Sequence, residues 1–283
     1  MNILVTGSSG HIGAAVAARL AQEARIVGLD RRPGPFTTRL GEIEDDELVR
    51  HLIRGTDVVV HTAALHVPDL ARATAQQFRR VNVEATRGLI DAALAAGVAR
   101  FVLLSTTSVY GCSSRTGPPA TWVDENLPPK PEDEYDRTKL EAETLCRDVA
   151  DACLTTVILR LARCFPEAAH EVAFYRMYRG VDRRDVAEAH LRAVLATVSG
   201  STTVNIAGPS PFHPDDIGAL WDDPWSVIER RVPGVRSSFE RRGWPLPQRI
   251  DRVYAIEKAR RVLGYHPRFG ITELMCEEEE GVS

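Results

Sequence analysis

The chain has 283 residues, 44% of them hydrophobic, with 39 acidic against 35 basic side chains and a formal net charge of -4. That length buries a substantial core, and the interspersed charge, with no basic stripe, argues against nucleic acid as a partner. Cys112, Cys146, Cys153, Cys164 and Cys276 are odd in number and lack Cys-x-x-Cys spacing, which speaks against a disulfide framework and a metal site and predicts a reduced, cytoplasmic setting without membrane spans.

Apolar runs alternate with helical patterns from the start, the signature of repeated βαβ units. Ile3 to Thr6 is predicted as a strand and Ala14 to Gln22 as a helix. Between them, Gly7, Gly10 and Gly13 follow a strand and open a helix, the context in which a glycine turn admits a pyrophosphate to free helix N–H groups; Ser9, His11 and Ile12 share that turn. A second strand, Ile26 to Leu29, ends at Asp30, whose carboxylate suits a ribose 2′-hydroxyl and so NAD. Arg31 and Arg32 suit the extra phosphate of NADP instead.

A helix from Asp45 to Arg54, a strand from Asp57 to His61 and a helix from Val81 to Ala96 with Gly97 as its C-cap follow. The strand Phe101 to Ser105 runs into the hydroxyl cluster Ser105-Thr106-Thr107-Ser108, at the sheet edge where such folds bind ligands. In the helix Tyr135 to Val149, Tyr135 and Lys139 lie one turn apart on one face, so the ammonium is expected to lower the phenol pKa and make Tyr135 an acid and base. Lysine is scarce here, with only Lys130, Lys139 and Lys258. A strand Thr155 to Leu161, a helix Val186 to Val198 and a strand Thr203 to Ile206 complete the alternation. After Ala207 tryptophans, prolines and paired arginines predict a smaller, partly irregular region, and Glu277 to Glu280 a solvated end. His61, His66 and His190 are expected to be structural or pocket-lining, and the tryptophans to be packing residues.

Taken together, TGSSGHIG, HTAA, VNVEATRG, STTSVYG and YDRTK resemble the extended short-chain dehydrogenase/reductase family, in its NAD-dependent sugar epimerase/dehydratase branch. The resemblance implies a doubly wound parallel sheet (Rossmann fold), with residues 1–165 holding the dinucleotide and 166–283 forming a shortened substrate region from which 181–207 returns to the sheet. It implies Thr106, Tyr135 and Lys139 as the catalytic group. Gly7, Ser9, Gly10, His11, Ile12, Gly13, Asp30, Arg31, Glu42, Ile43, Thr62, Ala63, Ala64, Asn82 and Ser105 are implied at the cofactor, Glu42-Ile43 on its adenine side. A sugar or nucleotide-sugar substrate and a homodimer, with the Tyr135 helix in the contact, are implied as well.

Sugar 4,6-dehydratases carry an Asp-Glu pair after the catalytic threonine, where this chain has Thr107 and Ser108; epimerisation is therefore the first expectation. Arg163 stands where nucleotide-sugar epimerases have asparagine, and the substrate segment after Pro166 is short. FYRMYRGVDRRD is similar instead to uronate dehydrogenases, which makes net dehydrogenation of a free sugar or sugar acid the second expectation and Arg176 its candidate carboxylate ligand. Arg163, Arg179, Arg249 and Arg252 are candidates for a diphosphate. Dinucleotide binding without catalysis is the third reading.

Overall fold

The computed structural model describes residues 1–150 and 154–279; Cys153, Glu280 and the side chains of Glu277 to Glu279 lie outside what is described, and so does the reading of that acidic end. In chain order the elements are β1 (Asn2–Thr6), α1 (His11–Leu20), β2 (Arg25–Asp30), β3 (Arg39–Leu40), α2 (Asp46–Leu52), β4 (Val58–His61), α3 (Ala75–Arg79), α4 (Ala85–Ala95), β5 (Arg100–Thr106), β6 (Thr121–Val123), α5 (Glu134–Asp148) and β7 (Thr155–Leu161). They continue with α6 (Ala169–Arg176), α7 (Arg183–Leu195), β8 (Ser201–Ile206), α8 (Ile217–Asp222), α9 (Pro224–Arg231), α10 (Val235–Arg241), β9 (Arg252–Tyr254), α11 (Glu257–Leu263) and α12 (Ile271–Glu279).

Seven strands form one sheet in the order β3-β2-β1-β4-β5-β7-β8, and every pairing is parallel. The central strands are continuous apolar runs because both faces are covered. Ile3 and Val5 of β1 face the cluster formed with α1, α7 and α11, while Leu4 between them faces α2, α4 and α5. The strand order reverses between β1 and β4, so the crevice beyond their C-terminal ends is the place for a ligand.

Two expectations change on folding. The helix predicted from Val81 begins as α4 at Ala85, preceded by a π-helical turn at Arg80–Glu84 that carries Asn82. The region after Ala207 is largely short helices. Asp223 caps α9 with Pro224 at its first position, and the prolines that suggested irregular chain punctuate helix starts. These helices bury Leu220, Trp225, Val227, Ile228 and Phe239 together with Met177 and Tyr178 in a third core cluster. Beside it, β6 and β9 form a two-stranded parallel sheet.

Candidate active site

A single cleft of about 850 Å³ runs across the C-terminal edge of the sheet, lined from Gly7, Asp30 and Ile43 at one end, past Thr106, Tyr135 and Lys139, to Arg163, Arg179 and Arg252 at the other. The turn after β1 is built for close approach. Gly7 has φ +76°, and a Cβ on Gly13 would lie 2.0 Å from the Gly7 carbonyl oxygen, so only glycine lets α1 start there. Gly10 caps α1 without a side-chain hydrogen bond, and no acidic residue occupies its first turn; the end of this helix offers bare N–H groups and a positive dipole to an anion. At the close of β2, Asp30 accepts from the Ser9 amide at 2.9 Å and the Arg32 amide at 2.9 Å, which fixes its carboxylate at the rim.

Residues after β4 form the opposite wall. Thr62 donates to the Thr6 carbonyl at 2.7 Å. His61 is buried between Thr6 and Thr86, and burial, aided by Lys139, holds its pKa down to about 3, so it is neutral and structural. Asn82 is buried and stays out of the cleft. Its amide clamps the Leu65 backbone, at 2.8 and 2.9 Å, to Thr138 of α5 at 3.1 Å, so it positions the wall that Ala63 and Ala64 line.

Asp133 caps α5 by accepting from the Asp136 amide at 2.8 Å, which puts Tyr135 in the first turn and Lys139 one turn deeper. Thr106, at the end of β5, lines the cleft beside Tyr135. The expected depression of that phenol is overturned: burial raises its pKa well above the ordinary value, Asp136 and Asp133 add to the rise, and only the nearby Thr106 hydroxyl opposes them. Lys139 is instead itself weakened, to about 8, because burial costs its charge more than Glu143 returns. Ser105 is held from behind, donating to Glu143 at 2.7 Å. Arg160 grips the same carboxylate at 2.9 and 2.7 Å.

At the far end, Arg163 pairs with Glu167 and lies over the Phe165 and Tyr175 rings. Arg252 pairs with Asp251. Arg179 stacks on Tyr175 at 4.2 Å, and its buried Nε has no hydrogen-bond partner.

Most of the expected residues come together here, including His11, Ile12, Arg31, Thr107 and Ser108. Five do not line the cleft. Ser9 supports Asp30, and Asn82 acts as described. Glu42 is exposed, while Glu44, held by Arg80, takes the place beside Ile43. Arg176, expected at a substrate carboxylate, is spent on Asp182 at 2.8 Å and the Phe269 carbonyl at 2.6 Å. Arg249 stacks on Trp221. Tyr254 was missed, although its i+2 spacing from Arg252 on a strand puts both on one face.

The NAD-dependent epimerase/dehydratase family model matches residues 3–173, and the chain belongs to that family. The chain is 36% identical to a 3-beta-hydroxysteroid dehydrogenase of Mycolicibacterium neoaurum, over 97% of this chain and 89% of that protein. It is also 29% identical to an N-acetyl-alpha-D-glucosaminyl-diphospho-ditrans,octacis-undecaprenol 4-epimerase of Escherichia coli O157:H7, over 52% of this chain and only 43% of that protein. Among solved structures, MoeE5 in complex with UDP-glucuronic acid and NAD superposes with a TM-score of 0.72 at 26% identity, covering 98% of this chain and 97% of that one. Among the described residues no helix is long and apolar enough to cross a membrane.

Proposed function

We propose that the protein moves hydride between NAD and a hydroxyl-bearing carbon of a sugar or nucleotide sugar, with Tyr135 as acid and base, and that its net reaction is epimerisation. One observation carries this reading: Thr106, Tyr135 and Lys139 line the same cleft as the glycine turn and Asp30. The bare start of α1 suits a pyrophosphate, and Asp30 suits the adenosine ribose. NAD supplies the hydride acceptor and donor. Tyr135 exchanges the proton of the reacting hydroxyl, Thr106 holds that oxygen, and the buried Lys139 ammonium offers donors to a ribose.

The arginines at the far end favour an anionic, polyhydroxylated substrate over the steroid of the related dehydrogenase. Thr107 and Ser108 provide no carboxylate in the cleft for water elimination, which supports epimerisation over dehydration. Net dehydrogenation of a free sugar acid is the second reading. It is favoured by Arg179, which lines the cleft and suits a substrate carboxylate in place of Arg176. A homodimer joined through α5 belongs to the same reading, and light scattering tests it.

The deciding assay incubates the purified protein with NAD and a panel of nucleotide sugars, free uronic acids and free sugars. Isomerisation of a nucleotide sugar with no accumulating NADH supports epimerisation, stoichiometric NADH supports the dehydrogenase reading, and Tyr135→Phe abolishes either. Full activity in Tyr135→Phe overturns the acid and base assignment.

A further inference from the structure

Of the three guanidinium groups at the far end of the cleft, two are already answered by carboxylates of the chain itself. Arg163 donates to Glu167 through Nε, at 3.0 and 2.8 Å, and through Nη2 as well, so its fork is filled. Arg252 gives Nε and Nη2 to Asp251, at 3.0 and 2.6 Å, and Nη1 to the Ser114 hydroxyl at 3.2 Å. Arg179 pairs with no carboxylate among the described residues, and its Nε lacks a hydrogen-bond partner.

Arg163 and Arg179 are held side by side. The Arg163 amide donates to the Arg179 carbonyl at 2.9 Å, and the Val181 amide donates to the Arg163 carbonyl at 3.0 Å. Both guanidinium groups lie over the Tyr175 ring of α6, at 5.0 and 4.2 Å. Two guanidinium groups so placed match the two phosphates of a diphosphate. Glu167 cancels that match, because it lines the cleft with Arg163 and occupies the edge that a phosphate would use. It is no loose surface partner: its side chain is only 13% exposed. A phosphate that took Arg163 would leave a largely buried carboxylate without its cation, beside a new negative charge, and both penalties weaken the complex.

We infer that Glu167 is a specificity residue that closes the substrate end to diphosphates and leaves Arg179 to receive a single negative charge. The inference rests on the proposed reading of this cleft as a sugar site and narrows it. The substrate is a sugar bearing one carboxylate and no nucleotide, whether the net reaction is epimerisation or dehydrogenation. The planar Arg179 fork suits that carboxylate, and the Tyr175 ring beneath it fixes the plane. Glu167 acts only through the charge it cancels on Arg163 and exchanges no proton. Were it neutral, the same two arginines would form a diphosphate clamp.

The test is a binding measurement by titration calorimetry at fixed ionic strength, with NADH saturating so that the cofactor end is filled and no hydride acceptor is present. UDP serves as the diphosphate, glucuronate and galacturonate as the sugar acids. The wild type is expected to bind one of the two uronates and to bind UDP at least about tenfold more weakly. Glu167→Gln is expected to tighten UDP by at least about tenfold while changing uronate affinity by less than about threefold, and Arg179→Gln to weaken the uronate by about tenfold. Glu171→Gln removes a carboxylate that is near Arg163 but does not line the cleft, and is expected to leave UDP unchanged. A gain there equal to that of Glu167→Gln means that overall charge decides, and the assignment is wrong. Tight UDP binding by the wild type, no gain in Glu167→Gln, or a wild type that binds neither uronate overturns the proposal as well. Should Arg179→Gln fail to fold, the Glu167 and Glu171 variants decide alone. No measurement here needs turnover, so loss of turnover in Tyr135→Phe tests hydride transfer separately and either reading can fail while the other stands.

Discussion

A methyl group at position 13 meets backbone, at 2.0 Å from the Gly7 oxygen, and backbone cannot swing away as a side chain can. Gly13→Ala is therefore expected to weaken NAD binding by at least about tenfold, with a lowered Tm; cofactor fluorescence and thermal denaturation check it. In the proposed cofactor site Asp30 discriminates by charge. Asp30→Asn keeps one of the two amide contacts, which reach separate carboxylate oxygens from Ser9 and Arg32, and removes the repulsion of a 2′-phosphate beside Arg31 and Arg32. It should shift the ratio of NADP to NAD affinity toward NADP by about tenfold, measured by titration calorimetry. Lys139 gives the site a pH limit: with its pKa at about 8, its charge, and with it NAD affinity, is present below that pH and lost above it, whereas Lys139→Met should give a weak, flat profile. The stability linkage has the opposite sense. The folded pKa lies below the ordinary 10.5, so between the two values the unfolded chain binds more protons and stability rises with pH. Gly7, Gly13 and Asp30 were legible in the sequence because their tasks are set by their immediate neighbours in the chain. Arg176 and Glu42 were not, because burial and distant partners such as Phe269 decide where such side chains end.

At the level of elements, α5 is held to the sheet by charge as well as by packing. Glu143 is fully buried and takes hydrogen bonds from Ser105, Arg160 and Arg147, while the Arg160 guanidinium also lies over the Tyr110 ring. Glu143→Ala strands a buried guanidinium and should cost about 3 to 5 kcal/mol in urea unfolding, with kcat falling as Ser105 and its neighbour Thr106 lose their support. The Tyr135/Lys139 spacing predicted that both side chains share one face of this helix, and both line the cleft, yet it misjudged the direction of the phenol pKa. Spacing along a helix reports proximity, whereas the desolvation that dominates both groups depends on everything else packed around them. The π-helical turn holding Asn82 was read as ordinary helix because its residues have no distinctive pattern; only its cross-links to Leu65 and Thr138 reveal its task.

For the molecule as a whole, the parallel sheet was legible because each buried strand is a short apolar run between helical patterns. The helices after Ala207 were harder to read, since each is shorter than two or three turns of clear periodicity and begins amid proline and aspartate. Their cluster rests on Phe239, which makes edge contacts with Trp225 and Trp244. Phe239→Ala should cost about 3 to 5 kcal/mol and raise the substrate KM more than the Kd for NAD, because the cluster supports the arginine end of the cleft and not the glycine turn.

The pairing of β6 with β9 has a consequence for how the protein comes into being. Thr121 to Val123 wait for partners at Arg252 to Tyr254, and Arg252 and Tyr254 form part of the cleft. As the chain leaves the ribosome, the glycine turn, Asp30, Tyr135 and Lys139 are all available more than a hundred residues earlier than this last wall. On the proposed function, the cofactor end of the cleft is thus made before the substrate end, and cofactor binding to that partial fold would stabilise it by mass action while synthesis finishes.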